Sequence, residues 1–346
     1  MTSGIAPAAT LLFREAAEAG HVVRRQFEQN AGLIGTIAER LREQPPRAVV
    51  TLARGSSDHA ATFARYLIET RAGVLTSSAS PSVGSVYEAS PDFSQTVVLA
   101  ISQSGRSPDL INAAKNAAAN GALVVAMVNN EVSPLADLAD FVIPLAAGPE
   151  RSVAASKSFI ASLAATLDLL GAWTRDRSIA NALSPLPQKL EEAWGLDWSE
   201  ALPVLREETA MYVVARGHGL AIAQEAALKL KETCGIQAEA FSAAEVRHGP
   251  MAVVRQDFPV LLFGQPDESL ESVAELAIEL AAKGARLLSA GVPDAPGIRL
   301  PVVDSDALTA PVLQVESFYR LANSLALARG GNPDRPPHLA KVTETL

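Results

Sequence analysis

Cysteine is almost absent from this sequence: its 346 residues contain one, Cys234. A single cysteine excludes a disulfide within the chain, and this scarcity fits the reducing cytoplasm. Cys234 has no metal-ligating neighbour in the sequence, so we interpret it as a small apolar packing residue. No group of His, Cys and carboxylate residues has the spacing of metal ligands. The sequence therefore predicts no catalytic metal.

Positive charge and long apolar runs are also scarce. The chain has 29 Lys and Arg residues against 38 Asp and Glu residues, a net charge of −9, and no basic stripe. This balance excludes nucleic acid as an expected partner. No uncharged apolar run reaches the roughly 18 residues of a membrane span, and the N-terminus lacks the pattern of a signal peptide. We expect a cytoplasmic protein with no nucleic-acid or membrane partner.

Short apolar runs alternate with amphipathic segments along most of the chain, which is long enough for two cores. Continuous apolar strands between helices are typical of a parallel sheet covered on both faces, so the sequence predicts an α/β fold. The predicted strands are 48–53, 96–101, 122–128, 141–145, 211–217, 259–263, 285–289 and 298–303. The predicted helices are 8–42, 58–70, 108–120, 156–174, 268–283 and 310–329.

One part of this pattern occurs twice. The runs Val49–Gly55 and Met211–Gly217 both end in Ala-Arg-Gly, and an amphipathic helix follows each. A repeat of this length predicts two tandem α/β domains rather than a solenoid. The predicted boundaries are an N-terminal helical segment at 1–30, a first domain at 31–175, a helical connector at 176–200, a second domain at 201–330 and a tail at 331–346.

Two turns rich in Ser and Gly follow predicted strands of the first domain. Ser102–Ser107 follows the strand 96–101, and Arg54–Ser57 follows the strand 48–53. Hydroxyls and backbone N–H groups at a helix N-terminus form an anion site, and phosphate is the usual anion there. Helix capping alone is the alternative interpretation of the same residues. Since ligands bind beyond the carboxyl ends of such strands, the pairing of the turns favours a shared phosphate pocket.

Three residues outside these turns are candidates for acid–base chemistry. Lys229 and Glu232 are three residues apart on one predicted helix, where a surface ion pair is the simpler interpretation. His248 precedes Gly-Pro, so it lies in a turn, and a histidine with a carboxylate is a competent acid–base set near neutral pH. Lys341 follows a proline-rich tail; such a lysine is either solvated or delivered into a pocket, where it can form a Schiff base or bind an anion.

Several segments together carry a family resemblance: Gly148–Lys157, Glu225–Glu232, Ala238–Ala240, His248–Pro250 and Leu339–Lys341. They resemble the sugar isomerase (SIS) domain family and, within it, the isomerase half of the glutamine–fructose-6-phosphate aminotransferases. The resemblance extends over most of the chain. It implies two tandem SIS domains, each a flavodoxin-like parallel sheet between helices. It also implies a homodimer with a shared active site and no cofactor.

The resemblance assigns a role to each candidate residue. Glu232 would move a proton between C1 and C2, and Lys229 would lie beside these carbons. His248 of the neighbouring subunit would open the sugar ring, and Lys341 would cover the site and bond the open-chain ketose. The residues implied to line the sugar are Val153 and Ala155, and those implied to hold its phosphate are Gly55, Ser56, Ser57, Ser102, Gln103, Ser104 and Ser107.

The resemblance has one clear departure. The aminotransferases begin with a glutaminase domain and a nucleophilic cysteine, whereas Thr2 and Ser3 follow Met1 here, so we expect no ammonia from glutamine. Arg54 and Arg106, in the two phosphate turns, resemble the stand-alone deaminase branch. We therefore expect a glucosamine-6-phosphate deaminase that releases fructose 6-phosphate and ammonia. The alternatives are ammonia-dependent synthesis of glucosamine 6-phosphate, galactosamine-6-phosphate deamination, ketose–aldose isomerisation, and a sensor that binds sugar phosphate without turnover.

Overall fold

The computed structural model describes residues 5–341. Residues 1–4 and 342–346, at the two ends of the predicted N-terminal segment and tail, lie outside the described residues. Residues 5–341 form two five-stranded parallel sheets. The first contains β1 (Ala48–Leu52), β2 (Leu75–Ser78), β3 (Thr96–Ser102), β4 (Leu123–Val128) and β5 (Phe141–Pro144). The second contains β6 (Ala210–Ala215), β7 (Gln237–Ser242), β8 (Pro259–Phe263), β9 (Arg286–Ala290) and β10 (Ile298–Leu300).

Helices surround both sheets. Those of the first half are α1 (Leu11–Ala16), α2 (Ala19–Glu43), α3 (Ser56–Leu67), α4 (Ser82–Ser85), α5 (Pro108–Ala119), α6 (Pro134–Leu138) and α7 (Lys157–Thr174). They are followed by α8 (Arg177–Leu183), α9 (Leu186–Gly195), α10 (Leu202–Leu205), α11 (Leu220–Cys234), α12 (Ala243–Val246), α13 (Leu270–Ala282) and α14 (Ala310–Ala328). The predicted α/β fold with two parallel sheets is confirmed.

The two sheets have the same strand order. It is β2-β1-β3-β4-β5 in the first sheet and β7-β6-β8-β9-β10 in the second, so the repeat seen in the sequence corresponds to a repeat of topology. The direction of winding reverses between β1 and β3, and again between β6 and β8. At such a reversal the loops leave the carboxyl ends of adjacent strands on opposite sides and open a crevice.

The strands β2 and β7 were absent from the sequence prediction. Both are the outer neighbours of the first strand of their sheet, and each pairs with one strand only. Three of the four residues of β2 are exposed, and β7 alternates between exposed and buried positions at its start. Polar residues interrupt both strands, Leu-Thr-Ser-Ser in β2 and Gln-Ala-Glu-Ala-Phe-Ser in β7, so they lack the continuous apolar run that the prediction relied on.

The chain divides into two compact units. The first-sheet unit comprises His21–Glu150 and Lys157–Ser184, and its core lies between β1, β3, β4 and the helix α5. The second-sheet unit comprises residues 5–20, Arg151–Ser156 and Pro185–Lys341, and its core lies between β6, β8 and α13. The domain boundaries expected from the sequence stay a prediction.

The predicted helix 8–42 is interrupted in the structure. The helix α1 ends at Ala16 and α2 begins at Ala19, with a turn between them. The amide of Glu18 donates to the carbonyl of Glu15 at 3.2 Å, the tightened bond of a helix end. Gly20 follows, where an added Cβ would lie 2.8 Å from Cγ of Glu191 on α9. Close packing at Gly20 therefore accompanies a break that helical periodicity does not reveal.

Asp168 lies within the largely buried helix α7, and its burial has a cost that depends on pH. Burial raises the pKa of its carboxyl from 3.8 to about 6. Between these two pH values the unfolded chain loses this proton while the folded chain keeps it. The free energy of unfolding therefore falls through this window as pH rises.

We expect Asp168→Asn to stabilise the protein at neutral pH and to leave its stability nearly unchanged at pH 4. The gain should grow between pH 4 and pH 6 and reach at most about 3 kcal/mol, since one pKa unit corresponds to about 1.4 kcal/mol. Urea unfolding at a series of pH values measures it. A gain of equal size at pH 4 and pH 7 would contradict an origin in the titration of Asp168.

Candidate active site

The crevice between β1 and β3 carries the Ser-rich turn that follows β3. Gly105 has a φ of +64°, which glycine adopts without strain, and its amide donates to Oγ of Ser102 at 3.0 Å. The amide of Arg106 donates to Oγ of Ser104 at 3.3 Å. Ser102 is buried, whereas Gln103 and Ser104 are partly exposed. The turn is therefore folded by its own hydroxyls and leaves polar side chains at its accessible surface.

Ser107 distinguishes the anion site from simple capping. It is the N-cap residue of α5, yet its side chain makes no capping hydrogen bond. Pro108 occupies the next position and has no N–H group to cap. The hydroxyl of Ser107 is therefore not engaged in the local role that Ser usually has at a helix start, which favours the anion-site interpretation.

The turn after β1 has a similar form. Gly55 has a φ of +56° and is the N-cap of α3, so its position is not filled by a capping side chain. Ser56 and Ser57 lie in the first helical turn and are partly exposed. In a first turn the backbone N–H groups have no acceptor within the helix, and the helix dipole is positive there. Both turns therefore present positive potential at the crevice.

An ion pair joins the two turns. Nε of Arg54 lies 2.9 Å from Oδ2 of Asp109, and the amide of Leu110 donates to Oδ1 of Asp109 at 2.9 Å. The side chain of Asp109 is 2% exposed, whereas that of Arg54 is 53% exposed. The buried carboxylate thus fixes the Arg54 side chain across from the β3 turn. Arg54 brings a cation to the crevice of an acidic protein.

In the equivalent crevice of the second sheet, between β6 and β8, the side chains bond to the local backbone and to one another. Nε2 of Gln265 donates to the carbonyl of Arg216 at 2.8 Å and to Oγ of Ser269 at 3.0 Å. Oδ1 of Asp267 accepts from the amide and the hydroxyl of Ser269, at 2.9 and 2.6 Å. A carboxylate stands where the first sheet has hydroxyls, so this crevice is unsuited to a phosphate.

Lys229 lies at the centre of a buried charge cluster on α11. Its Nζ donates to Oε2 of Glu232 at 2.6 Å and lies 3.4 Å from Oε1 of Glu225. The hydroxyl of Tyr319, on α14, donates to the same Oε1 at 3.0 Å. The side chains of Lys229 and Glu225 are 1% and 0% exposed, and that of Glu232 is 20% exposed. The pair is therefore not a surface ion pair.

The electrostatics of the cluster keep the lysine charged. Burial lowers the pKa of the Lys229 ammonium, but the negative charges of Glu225 and Glu232 outweigh burial and raise that pKa above its ordinary value. Of the two carboxylates, only Glu232 lines an open cavity, of about 850 Å³, which the tail residues Pro337–Leu339 also line. The arrangement provides a carboxylate accessible to a small molecule, next to a permanent cation.

The segment 151–156 carries the two residues expected to line the sugar. Its side chains alternate: Ser152, Ala154 and Ser156 are buried, and Val153 and Ala155 are partly exposed. Nζ of Lys341 donates to the carbonyl of Ser152 at 2.6 Å. The structure thus brings the tail lysine to the segment that presents Val153 and Ala155.

His248 lies apart from these groups. It is exposed, in a turn that closes with a hydrogen bond of 2.9 Å from its amide to the carbonyl of Glu245. Its imidazole makes no hydrogen bond or ion pair with any residue in the range 5–341. A role for His248 within its own subunit therefore has no support from these contacts.

Three residues of this region were not identified from the sequence: Asp109, Glu225 and Tyr319. Glu225 lies four residues before Lys229 on the same helix, so helical spacing could have indicated it. Asp109 and Tyr319 reach partners 55 and 94 positions away, and no local pattern indicates such a contact.

Comparison with known proteins identifies the family. The model of the SIS domain matches residues 44–170 and 204–290, which is more than half of the chain. The chain belongs to the SIS-domain family. The two matched regions contain the strands of the first sheet and nearly all those of the second.

One curated relative is the glutamine–fructose-6-phosphate aminotransferase [isomerizing] of Aeropyrum pernix. It is 34% identical over 314 residues, which cover 85% of this chain and 50% of that protein. The chain spans about half the length of the curated relatives it matches. The similarity therefore concerns one part of those longer proteins.

Solved structures show the same similarity. A protein of Silicibacter pomeroyi, provisionally named a phosphosugar isomerase, is 40% identical, with a TM-score of 0.90 and coverage of 94% of this chain and 100% of that one. The C-terminal domain of the Francisella tularensis glucosamine–fructose-6-phosphate aminotransferase is 25% identical, with a TM-score of 0.85 and coverage of 94% and 98%. A glucosamine-6-phosphate deaminase of Thermotoga maritima, 21% identical with a TM-score of 0.77 and coverage of 97% and 100%, shares the fold.

Three further observations concern possible metal ligands, membrane-spanning helices and the single cysteine. Between residues 5 and 341 no group of three or more His, Cys, Asp or Glu side chains could hold a metal ion. Over the same range, no helix combines the length and the apolarity needed to cross a bilayer. Cys234 is buried, and burial raises the pKa of its thiol to about 11, so it is an unreactive packing residue.

We expect Gly105→Ala to weaken the binding of inorganic phosphate by at least about tenfold. An added Cβ would lie 2.8 Å from Cβ of Ser133, and Ala is strained at this positive φ, so the turn must shift. Isothermal titration calorimetry with phosphate measures the affinity.

Gly73→Ala is the matched control. Gly73 has a φ of +66°, and an added Cβ there meets no atom within 4 Å. It introduces the same backbone strain outside the crevice, so phosphate affinity should be kept. Equal loss of affinity in both variants, or none in Gly105→Ala, would contradict a phosphate site at the β3 turn.

Proposed function

We propose that this protein is a glucosamine-6-phosphate deaminase, which converts glucosamine 6-phosphate and water into fructose 6-phosphate and ammonia. Membership of the SIS-domain family supports a sugar-phosphate isomerase function. The observation that carries the finer proposal is the accessible carboxylate of Glu232, 2.6 Å from the buried ammonium of Lys229. Isomerisation and deamination of an amino sugar both need such a pair.

The crevice between β1 and β3 supplies the binding energy in this proposal. The dianionic phosphate would be held by the N–H groups and hydroxyls of Ser102–Ser107 and Gly55–Ser57, with the exposed guanidinium of Arg54, held by Asp109, as a further donor. Binding at the phosphate is remote from the reacting carbons, so it can orient them before the chemistry begins. The Asp267 carboxylate at the second crevice favours one phosphate site in each chain.

The chemistry follows from the open-chain sugar. His248 of a neighbouring subunit would open the ring, which frees the C1 aldehyde. Glu232 would then remove the proton at C2, leaving an enolamine whose C1 oxygen carries the negative charge, and return that proton to C1. The C1 oxygen takes up the proton that the amino nitrogen releases, which leaves a hydroxyl at C1 and an imine at C2. Water adds to the imine carbon, and ammonia leaves as the C2 carbonyl of fructose 6-phosphate forms. No oxidant or cofactor is needed for this balance.

Two cations would assist the proton transfer. Negative charge develops on the C1 oxygen as the C2 proton leaves, and the fixed ammonium of Lys229 would stabilise it without reorganisation. Lys341, delivered by the tail to the segment 151–156, would close the site and contact the open-chain sugar. Val153 and Ala155 would form the wall beside the sugar carbons.

The reverse direction is a second candidate, favoured by the name of the curated relatives. Synthesis of glucosamine 6-phosphate from fructose 6-phosphate and ammonia uses the same intermediates in reverse order. The matched region is about half of each aminotransferase, so the names of these relatives do not decide the direction of the reaction in this chain. Assays in both directions decide it.

We expect the purified protein to release ammonia and fructose 6-phosphate in equal amounts from glucosamine 6-phosphate. Glu232→Gln should lower kcat by at least about a thousandfold, the upper range for loss of a general base, with little change in sugar-phosphate affinity. Coupled assays measure turnover, and calorimetry measures affinity. Glu271→Gln, at an exposed carboxylate of α13, is the control with the same charge change.

Other results of this assay have definite meanings. Turnover of galactosamine 6-phosphate, or isomerisation without ammonia, would move the assignment to that substrate or reaction. Tight binding without turnover of any amino-sugar or ketose phosphate would indicate a sugar-phosphate sensor and not an enzyme. A Glu232→Gln variant that loses binding and turnover equally would remove the proton-transfer role from Glu232.

A shared site makes a separate prediction about mixed subunits. Glu232→Gln and His248→Ala should each be inactive alone. When the two are unfolded and refolded together, half of the dimers are mixed, and each has one site with both residues intact, so about a quarter of the wild-type activity should return. No recovery in dimers shown to be mixed would place His248 in the same subunit as Glu232 or outside the site.

A further inference from the structure

The segment 151–156 is held by a residue that the proposed chemistry does not use. The side chain of Glu15, on α1, accepts two hydrogen bonds from the backbone of this segment: from the amide of Arg151 at 2.6 Å and from the amide of Ser152 at 3.0 Å. Glu15 is 6% exposed. Each of its oxygens takes one amide, so the carboxylate fixes both the position and the orientation of this backbone.

The same segment is held from its other side. The carbonyl of Ser152 accepts from Nζ of Lys341 at 2.6 Å. Consecutive backbone groups of one short stretch therefore meet an anion from α1 and a cation from the tail. The N–H groups point to the carboxylate, the carbonyl points to the ammonium, and each charge has the sign that its partner dipole favours.

The helix α1 is also tied to the tail. The two carboxylate oxygens of Asp334 accept from the amides of Leu11 and Leu12, at 2.7 and 2.8 Å. An anion at a helix N-terminus pairs with free N–H groups and with the positive end of the dipole. Pro336 is buried, residues 337–340 are exposed, and Lys341 then returns to a partly buried position. The tail is therefore attached at Asp334 and again at Lys341.

These contacts close a ring within the second-sheet unit: the tail binds α1, α1 binds the segment 151–156, and this segment binds the tail. Of the three charged side chains that form the ring, the family resemblance implies a role for Lys341 only. Asp334 caps α1, and Glu15 has no assigned role. The ring gives the tail lysine a fixed target, because Glu15 sets where the Ser152 carbonyl lies.

We propose that Glu15 is a positioning residue for the sugar site: it holds the segment 151–156 so that Val153 and Ala155 face the sugar and the Ser152 carbonyl receives Lys341. This inference rests on the proposed function for the identity of the ligand. It assigns to the short N-terminal helix a part in recognising the sugar portion of the substrate and none in binding the phosphate.

The test uses Glu15→Gln in the full chain. A glutamine can accept one amide and presents its own NH2 to the other, so one bond is lost and a repulsive contact replaces it. We expect kcat/KM for glucosamine 6-phosphate to fall about ten- to a hundredfold, the effect of losing charge-assisted hydrogen bonds. The affinity for inorganic phosphate should stay within about twofold, because the phosphate turns are unchanged.

Hydrogen exchange supplies a readout that does not depend on turnover. Peptides that cover 150–156 should exchange faster in Glu15→Gln, while peptides of β6, β8 and α11 should keep the wild-type rate. Glu28→Gln, at an exposed carboxylate of α2, is the control with the same charge change. Glu15→Asp, which keeps the charge with a shorter reach, should lie between wild type and Glu15→Gln in both exchange and kcat/KM.

The outcomes separate this proposal from the proposed function. Wild-type protein without turnover, but with fast exchange at 150–156 in Glu15→Gln, would remove the function and keep the role of Glu15 in holding the segment. Unchanged exchange and unchanged kcat/KM in Glu15→Gln would overturn the proposal. Equal losses of sugar-phosphate and phosphate affinity would also overturn it, since they indicate general destabilisation. If Glu15→Gln does not fold, Glu15→Asp decides by the same two readouts.

Discussion

A charge buried on α11 constrains much of the second-sheet unit. The ammonium of Lys229 lies between Glu225 and Glu232, and two of these three side chains have almost no exposure. Loss of one partner from a buried ion pair typically costs about 3–5 kcal/mol, so the three groups have to stay together. Tyr319 satisfies Glu225 from α14, which fixes α14 against α11. The catalytic group that we propose, Glu232, is the one member left accessible at the edge of this cluster.

The two α/β units share a strand order but differ at their crevices. Both sheets have the same strand order, so both create a crevice where the winding direction reverses. In the first sheet the crevice has serine hydroxyls, the N-termini of α3 and α5, and the Arg54–Asp109 ion pair. In the second, Gln265 and Asp267 satisfy the local backbone and hydroxyl groups themselves. The second unit instead contributes a buried charge cluster and a tail.

Segments distant in the sequence meet around the stretch 151–156. Its six residues interrupt the first-sheet unit in the sequence but belong to the second-sheet unit in space. They are held by α1 from the N-terminal end of the chain and by Lys341 from the tail. A backbone segment with no regular secondary structure needs such partners for its N–H and C=O groups, because buried backbone groups are costly when unpaired. The partners here are a carboxylate and an ammonium, and their hydrogen bonds favour one conformation of the segment.

The sequence alone determined the class of fold, the repeat and the turns of the first crevice, because these depend on local periodicity and on Gly and Ser at strand ends. It did not reveal β2 and β7, whose sequences are interrupted by polar residues, or Glu15, whose partner Arg151 lies 136 positions away. Lys229 and Glu232 were visible at helical spacing, but their burial was not. Whether that pair is a solvated surface contact or a desolvated site depends on which helix packs over it. Only the tertiary structure decides this, since burial is a property of the neighbours in space and not of the neighbours in the chain.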